Sequence, residues 1–441
     1  MNRYLQSSIR SMVSGLIRLA LGFHYARIER YHPERVPRRG PILLTSNHPN
    51  SVTDAYTIGY AVPRPVHFVG TVQLFRWKPL GWLLRQCGVI AVNRVQDDRR
   101  AMRSVLDTFE AVYRVLEAGD AVAIFPEGIT HNDPQLKTVK TGAARMALEL
   151  EHRHGGRLGL QIVPVGLTFT AKEQYRSDAL VCFGEPIPVA PFLEGYEERQ
   201  KDCIRNLNGR IEESIQRLML HVPRLEEARV VEAVKRLYLE RLRLGREVVQ
   251  EPVTPRAEEL LLTQAIARAV GRVFERDPGR AEKFVRRLDH YERWLKRLRL
   301  SEEALEREEG TVKLALRSAG LGAAAVLGLP VALYGGLHRL LPAAVVRWAV
   351  SRFADVQEHR PRSAMVAILA GVIVFPACYA GYLLLALSWM GWPAAIWYLL
   401  SLPVSGLIAH AYFREARRLF GGLRDAWVLL RARTARRRLS G

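Results

Sequence analysis

The stretch PILLTSNHPNSVTDA, Pro41 to Ala55, passes from an apolar run through a turn toward a helix. Ile42–Thr45 reads as a buried strand, and Pro49 holds His48 out of helical geometry. A helix is expected from near Ser51, which puts Asp54 just inside it. On one continuous helix, six residues would turn through about 600° and set His48 and Asp54 on different faces. With a turn between them, the carboxylate can reach back to the imidazole. An aspartate on one ring nitrogen fixes the tautomer and leaves the other nitrogen to take a proton. Taken alone, a capped loop is the plainer reading of these residues.

Outward from this stretch, short apolar runs alternate with helical patterns. Ile42–Thr45, Val66–Val69, Val89–Val92, Ala121–Phe125 and Ile162–Leu167 read as strands bounded by Gly, Pro and Asn. Arg99–Glu117 and Gly142–Arg153 read as helices. The expected fold class is therefore α/β, with a mixed or parallel sheet flanked by helices over residues 31–223. Residues 1–30 place Leu5, Ile9, Met12, Val13, Leu16, Ile17, Ala20 and Leu21 on one helical face. Arg3, Arg10 and Arg18 break any signal-peptide core, so an amphipathic helix in the membrane interface is expected there. A helix packed on the soluble domain is the alternative.

From 224 to 313 the chain turns to dense Arg, Glu and Leu at helical spacing, a helical insertion with a break at Asp277–Gly279. A membrane region is expected over 314–413. No Asp, Glu, Lys or Arg occurs between Arg362 and Arg414, and one helix of that length far exceeds a hydrocarbon core of roughly 30 Å. Met390-Gly-Trp-Pro393 divides it into spans 363–389 and 393–413, with Trp389, Trp392 and Trp397 matching an interfacial aromatic belt. Residues 318–338 form a softer third span, rich in Ala and Gly and holding Pro330.

The net charge of +21 does not imply nucleic acid. Nine lysines stand against 56 arginines, and much of the excess flanks the apolar segments. Nine arginines and two acids occupy the tail 414–441, and Arg360 and Arg362 precede the hairpin. By the positive-inside rule these flanks are cytoplasmic. Membrane lipids, anionic ones included, are the expected partners. No nucleic-acid-binding pattern is present. Cys87, Cys182, Cys203 and Cys378 have no C-x-x-C spacing, so neither a disulfide framework nor a zinc site is expected.

Three further motifs change the weight of the opening stretch. GVIAVNR ends in Arg94 after a strand, and IFPEGITH sets Glu127, Gly128 and His131 at a strand exit. VKTGAARMAL then contributes Lys140, and IVPVGL contributes Pro164 and Gly166. Each has a plainer reading: Arg94 as a strand-end surface residue, Lys140 as a solvated lysine, His131 as a surface histidine, the glycines as turns.

In this order and at these intervals, the set resembles the glycerophospholipid acyltransferase family, over about residues 30–190. The resemblance implies that His48, oriented by Asp54, is the base that activates an acceptor hydroxyl. Asn47 and His131 are possible further site residues. It implies acceptor binding by Arg94, Glu127, Gly128 and Lys140, with Arg94 and Lys140 on a phosphate and Glu127 on a glycerol hydroxyl or on Arg94. It implies no cofactor beyond a co-substrate, acyl-CoA or acyl carrier protein. The pattern departs from the family's in three places. Five residues separate His48 and Asp54 where four are commonest, Ala91 replaces a frequent proline, and Ile129-Thr130 replaces Thr-Arg. The longer spacing and His131 resemble a subgroup that acts on glycerol-3-phosphate or dihydroxyacetone phosphate.

The expected function is transfer of a fatty acyl group to glycerol-3-phosphate or lysophosphatidate, by an integral membrane protein with its site on the cytoplasmic face. The alternatives are an acyltransferase for another lysophospholipid or an amino lipid, and a non-catalytic basic membrane scaffold.

Overall fold

The structure, a computed structural model, describes residues 3–75, 78–92, 102–131, 133–172, 175–244, 253–298, 311–353 and 363–439. They form two compact units, one comprising the chain to Arg272 together with residues 363–368, and one comprising Val273–Phe353 and Leu369 onward.

The first unit is built on an eight-stranded mixed sheet, with strands β1 (Tyr25–Tyr31), β2 (Ile42–Ser46), β3 (Val66–Thr71), β4 (Ile90–Val92), β5 (Ala121–Ile124), β6 (Gln161–Phe169), β7 (Ser177–Phe183) and β8 (Ile187–Pro188). The order is β1-β7-β6-β2-β5-β3-β4, with β8 also on β6. β2 lies between β5 and β6 and is parallel to both. β7 and β8 run antiparallel to β6. All five strands read from the sequence are present, with ends shifted by no more than two residues.

Both faces of the sheet are covered, which is why β2 reads as a continuous apolar run. On one face Leu43, Val122 and Ile162 pack under α4 (Met102–Glu117), α5 (Gly142–Arg153) and α6 (Gln200–Arg217). On the other, Ile42, Leu44, Ala123 and Val163 meet Ile58 and Ala61 of α2 (Val52–Ala61). Leu21 of α1 (Arg3–His24) joins that second core, and α3 (Lys78–Gln86) and α7 (Leu225–Leu244) belong to the same unit. Segment 1–30 thus divides into a helix to His24 and the start of strand β1. α1 is tied to the sheet by Leu21 and by Arg10, which bonds Val66 O and His67, while Met12, Leu16, Leu19 and Phe23 stay exposed.

The charged segment 224–313 is divided between the units. Ala257 and Leu260 of α8 (Pro255–Arg276) pack on Leu180 and Cys182 of β7. Arg256 adds an ion pair to Asp178, and its backbone N–H donates to Glu29 Oε2 at 2.9 Å. In the second unit, α9 (Pro278–Leu298) is followed by helix Thr311–Phe353 and by helix Ser363–Leu439 from Leu369 onward.

Gly328–Arg352 and Leu369–Arg417 are long and apolar enough to cross a membrane. The second stretch has 49 residues, about 74 Å at the α-helical rise, or more than twice a hydrocarbon core. Gly391 interrupts it with φ 70° and ψ 168°, dihedrals open to glycine and to few other residues. Gly335 allows the 328–352 helix to meet the backbone at Ser405. The Tyr334 and Ser401 hydroxyls bond at 2.7 Å beside that crossing.

Candidate active site

The site begins where β2 ends. Asn47 carries the β2–β6 pairing one residue further through its side chain. Its Nδ2 donates to Leu167 O at 3.0 Å, and its Oδ1 accepts from Leu167 N–H at 2.7 Å. The chain then turns through Ser51, whose φ of 56° is costly for a residue with a Cβ. That turn points the first turn of α2 back toward the strand end.

Asp54, in that first helical turn, is completely buried. Its Oδ2 accepts from His48 Nδ1 at 2.9 Å and from the Asn50 backbone N–H at 2.7 Å. Burial pushes the Asp54 carboxyl above the usual carboxylate range, opposed by the two His48 and Asn50 bonds. A carboxylate at a helix N-terminus is also favoured by the macrodipole. The His48 ring lies face to face with Phe125, with centroids 4.0 Å apart and planes at 17°. With Nδ1 committed to Asp54, Nε2 is the nitrogen left to act on a substrate. Asn50 Nδ2 in turn donates to the hydroxyl of buried Tyr25, at 3.2 Å.

The second half of the site leaves β5. Glu127 Oε1 accepts the His48 backbone N–H at 2.9 Å. Its Oε2 accepts from His131 Nε2 at 2.6 Å and from Lys137 N–H at 2.8 Å. Gly128 adopts φ 67°, and a Cβ there would stand 2.8 Å from Lys140 Nζ. Lys140 is exposed and lies along this turn, so its ammonium is open to an anion.

Of the residues singled out from the sequence, Asn47, His48, Glu127, Gly128, His131 and Lys140 come from the β2–α2 and β5–α5 connections, and Asp54 from the first turn of α2. Parallel pairing of β2 with β5 sets those connections at the same end of the sheet. Arg94 lies outside the described residues. Gly166 has a packing role, because a Cβ there would be 2.2 Å from Leu218 O. Sequence reasoning missed Tyr25 and Asn50, which support the dyad, and Lys172, which follows β6. Burial lowers the Lys172 ammonium pKa, while Asp54, Asp133 and Glu127 act on it in the opposite sense. A lone lysine in a loop carries no sequence signal, and Tyr25 reaches the site through pairing at the far edge of the sheet.

Residues 27–168 match the family model described as Acyltransferase. Over 133 residues the chain is 32% identical to glycerol-3-phosphate O-acyltransferase 2 of Saccharomyces cerevisiae, covering 30% of this chain and 18% of that one. Over 155 residues it is 28% identical to the lyso-ornithine lipid O-acyltransferase of Pseudomonas aeruginosa, covering 35% and 49%. Over 156 residues it is 26% identical to the 1-acyl-sn-glycerol-3-phosphate acyltransferase of Borreliella burgdorferi, covering 35% and 57%. The chain thus spans less than two thirds of each of these relatives. The segment 27–168 is thus similar to acyltransferase domains, including those of glycerol-3-phosphate and 1-acyl-sn-glycerol-3-phosphate acyltransferases.

Proposed function

We propose that this chain is a membrane-bound O-acyltransferase that moves a fatty acyl group from acyl-CoA or acyl carrier protein to glycerol-3-phosphate or lysophosphatidate. The observation that carries this reading is the His48–Asp54 pair, 2.9 Å apart, with its carboxylate fully buried and its imidazole at the rim. His48 Nε2 takes the proton from the acceptor hydroxyl as that oxygen attacks the thioester carbonyl. Asp54 stabilises the imidazolium that forms. The tetrahedral oxyanion then collapses, the C–S bond breaks, and the proton passes from Nε2 to the sulfur, releasing a thiol. Lys140, exposed beside Gly128, and Arg94 supply positive charge for the acceptor phosphate. The acceptor names of the yeast and Borreliella relatives support this class of substrate.

The two apolar helices support attachment to a membrane, and their basic flanks support a cytoplasmic site. A second reading, transfer to an amino-lipid acceptor, is favoured by the Pseudomonas relative. Purified protein given labelled acyl-CoA or acyl carrier protein, with glycerol-3-phosphate, lysophosphatidate and lyso-amino-lipid acceptors, separates the readings. Transfer to phosphate-bearing acceptors is expected. Transfer to lyso-amino lipid alone would replace the first reading with the second, and no transfer to any acceptor would remove both.

A further inference from the structure

Glu127 sits in the turn whose resemblance implies contact with the acceptor, yet its own contacts all run inward. Three protein donors, His48 N–H, His131 Nε2–H and Lys137 N–H, meet its two oxygens. Its side chain has no accessible surface. An acceptor hydroxyl reaching this carboxylate would have to displace one of those donors and leave it buried without a partner.

The same turn grips His48 twice. Phe125 supports the ring from its face, and Glu127 holds the backbone amide two bonds from the side chain's origin. His131 is itself buried, at 8% exposed. Its Nε2 donates to Glu127, and its Nδ1 is buried with no hydrogen-bond partner among the described residues. Two histidine–carboxylate pairs are therefore joined in series, Asp54 to the His48 ring and the His48 amide to Glu127 and His131.

We propose that Glu127 and His131 are positioning residues, which set the pose of the His48 imidazole through its backbone amide, and that groups other than Glu127 hold the acceptor. This rests on the acyl-transfer reading of the His48–Asp54 pair. The expected sensitivity is high, because a displacement of about 1 Å at a reacting group can cost on the order of 10²-fold in rate.

Glu127→Gln, His131→Gln and His131→Leu, in the full chain, test it. Glutamine at 127 turns one acceptor oxygen into a donor facing His131 or Lys137. Turnover is expected to fall about 10- to 100-fold in Glu127→Gln, with acceptor KM within about twofold. His131→Gln still offers an N–H to Glu127 and should retain more turnover than His131→Leu. Hydrogen exchange at the His48 amide should speed up in Glu127→Gln, a readout that needs no turnover. A tenfold rise in acceptor KM with turnover preserved would overturn the proposal, as would unchanged exchange at His48 or equal turnover in the two His131 variants. If the unsubstituted protein transfers no acyl group, the acyl-transfer reading fails instead. The exchange result still decides whether Glu127 holds the His48 loop.

Discussion

Asp54, Glu127 and Glu151 are carboxylates buried inside the sheet unit, whereas the helical unit leaves Trp389 90% and Ile373 70% exposed. Each of these three carboxylates is met by N–H donors, as Glu151 is by Gly159 and Leu160 at 3.1 and 2.8 Å. Their charge is taken out of water where the backbone or a histidine receives it. In the helical unit large apolar side chains face outward, the surface that a lipid solvent would favour. The difference teaches that the two units present different surfaces, and it supports the proposed division of chemistry to one and membrane attachment to the other.

The largest expected effect separates those two tasks. His48→Ala should lower acyl-transfer turnover by on the order of 10²–10⁴-fold, the usual consequence of losing a positioned base. Retention in the membrane fraction after carbonate washing should not change. Near-normal transfer by the variant would remove His48 from the mechanism, and loss of retention would show that the tasks are not divided between the units.

Acid should affect the sheet unit through His24. This histidine ends α1, its Nε2 is buried without a partner among the described residues, and burial lowers its pKa from 6.5 to about 4. Because the folded value lies below the unfolded one, the unfolded chain binds the extra proton first. Stability is then full above pH 6.5 and declines as the pH falls toward about 4. The loss approaches roughly 3 kcal/mol, at about 1.4 kcal/mol per pKa unit. The protection factors of amides in α1 and β1, which are corrected for the intrinsic exchange rate, should fall from pH 7 to pH 5, and His24→Phe should flatten that fall. An equal fall in the variant would assign the acid response to other groups.

The central strands were legible because burial on both faces makes β2, β5 and β6 continuous apolar runs between turn residues. Strand β1, Tyr-Ala-Arg-Ile-Glu-Arg-Tyr, was not, since only Tyr25 along it is fully buried. Its charged residues find partners that lie far away in the chain, as Glu29 does on Arg256. The same holds for the site. The histidine and aspartate were legible because their spacing is local, and Glu127 because its motif is compact. That Glu127 reaches the His48 amide, or that Asn47 bridges to Leu167, depends on which strands lie side by side. No local pattern encodes that.

Both units rely on a glycine where two backbones meet, so one kind of substitution can ask whether they respond separately. A Cβ at Gly166 would stand 2.2 Å from Leu218 O, and one at Gly335 would stand 2.1 Å from Ser405 O. Backbone must move in either case, and each alanine should cost about 1–3 kcal/mol. Gly166→Ala should accelerate exchange in β6 and α6, and Gly335→Ala in the helices around 335 and 405. If either variant loosened both units equally, the division into two independent structures would fail.

The smallest effect concerns how the sheet unit meets an anion at its rim rather than in its interior. Lys140 is exposed, unlike the carboxylates, so replacing it leaves no buried group unpaired. Its loss should therefore act on binding and little on folding. Lys140→Ala is expected to raise the acceptor KM about tenfold, near 1.4 kcal/mol, for loss of one charge-assisted contact. Turnover and the acyl-donor KM should stay close to normal. Arg94→Ala should behave alike if both cations grip one phosphate. The double variant should then cost less than the sum of the two, because groups that share a ligand are coupled. Additive effects would mean that the two cations act on different parts of the substrates. A wild-type acceptor KM in the double variant would remove the phosphate from the acceptor altogether, and the lyso-amino-lipid reading would take its place.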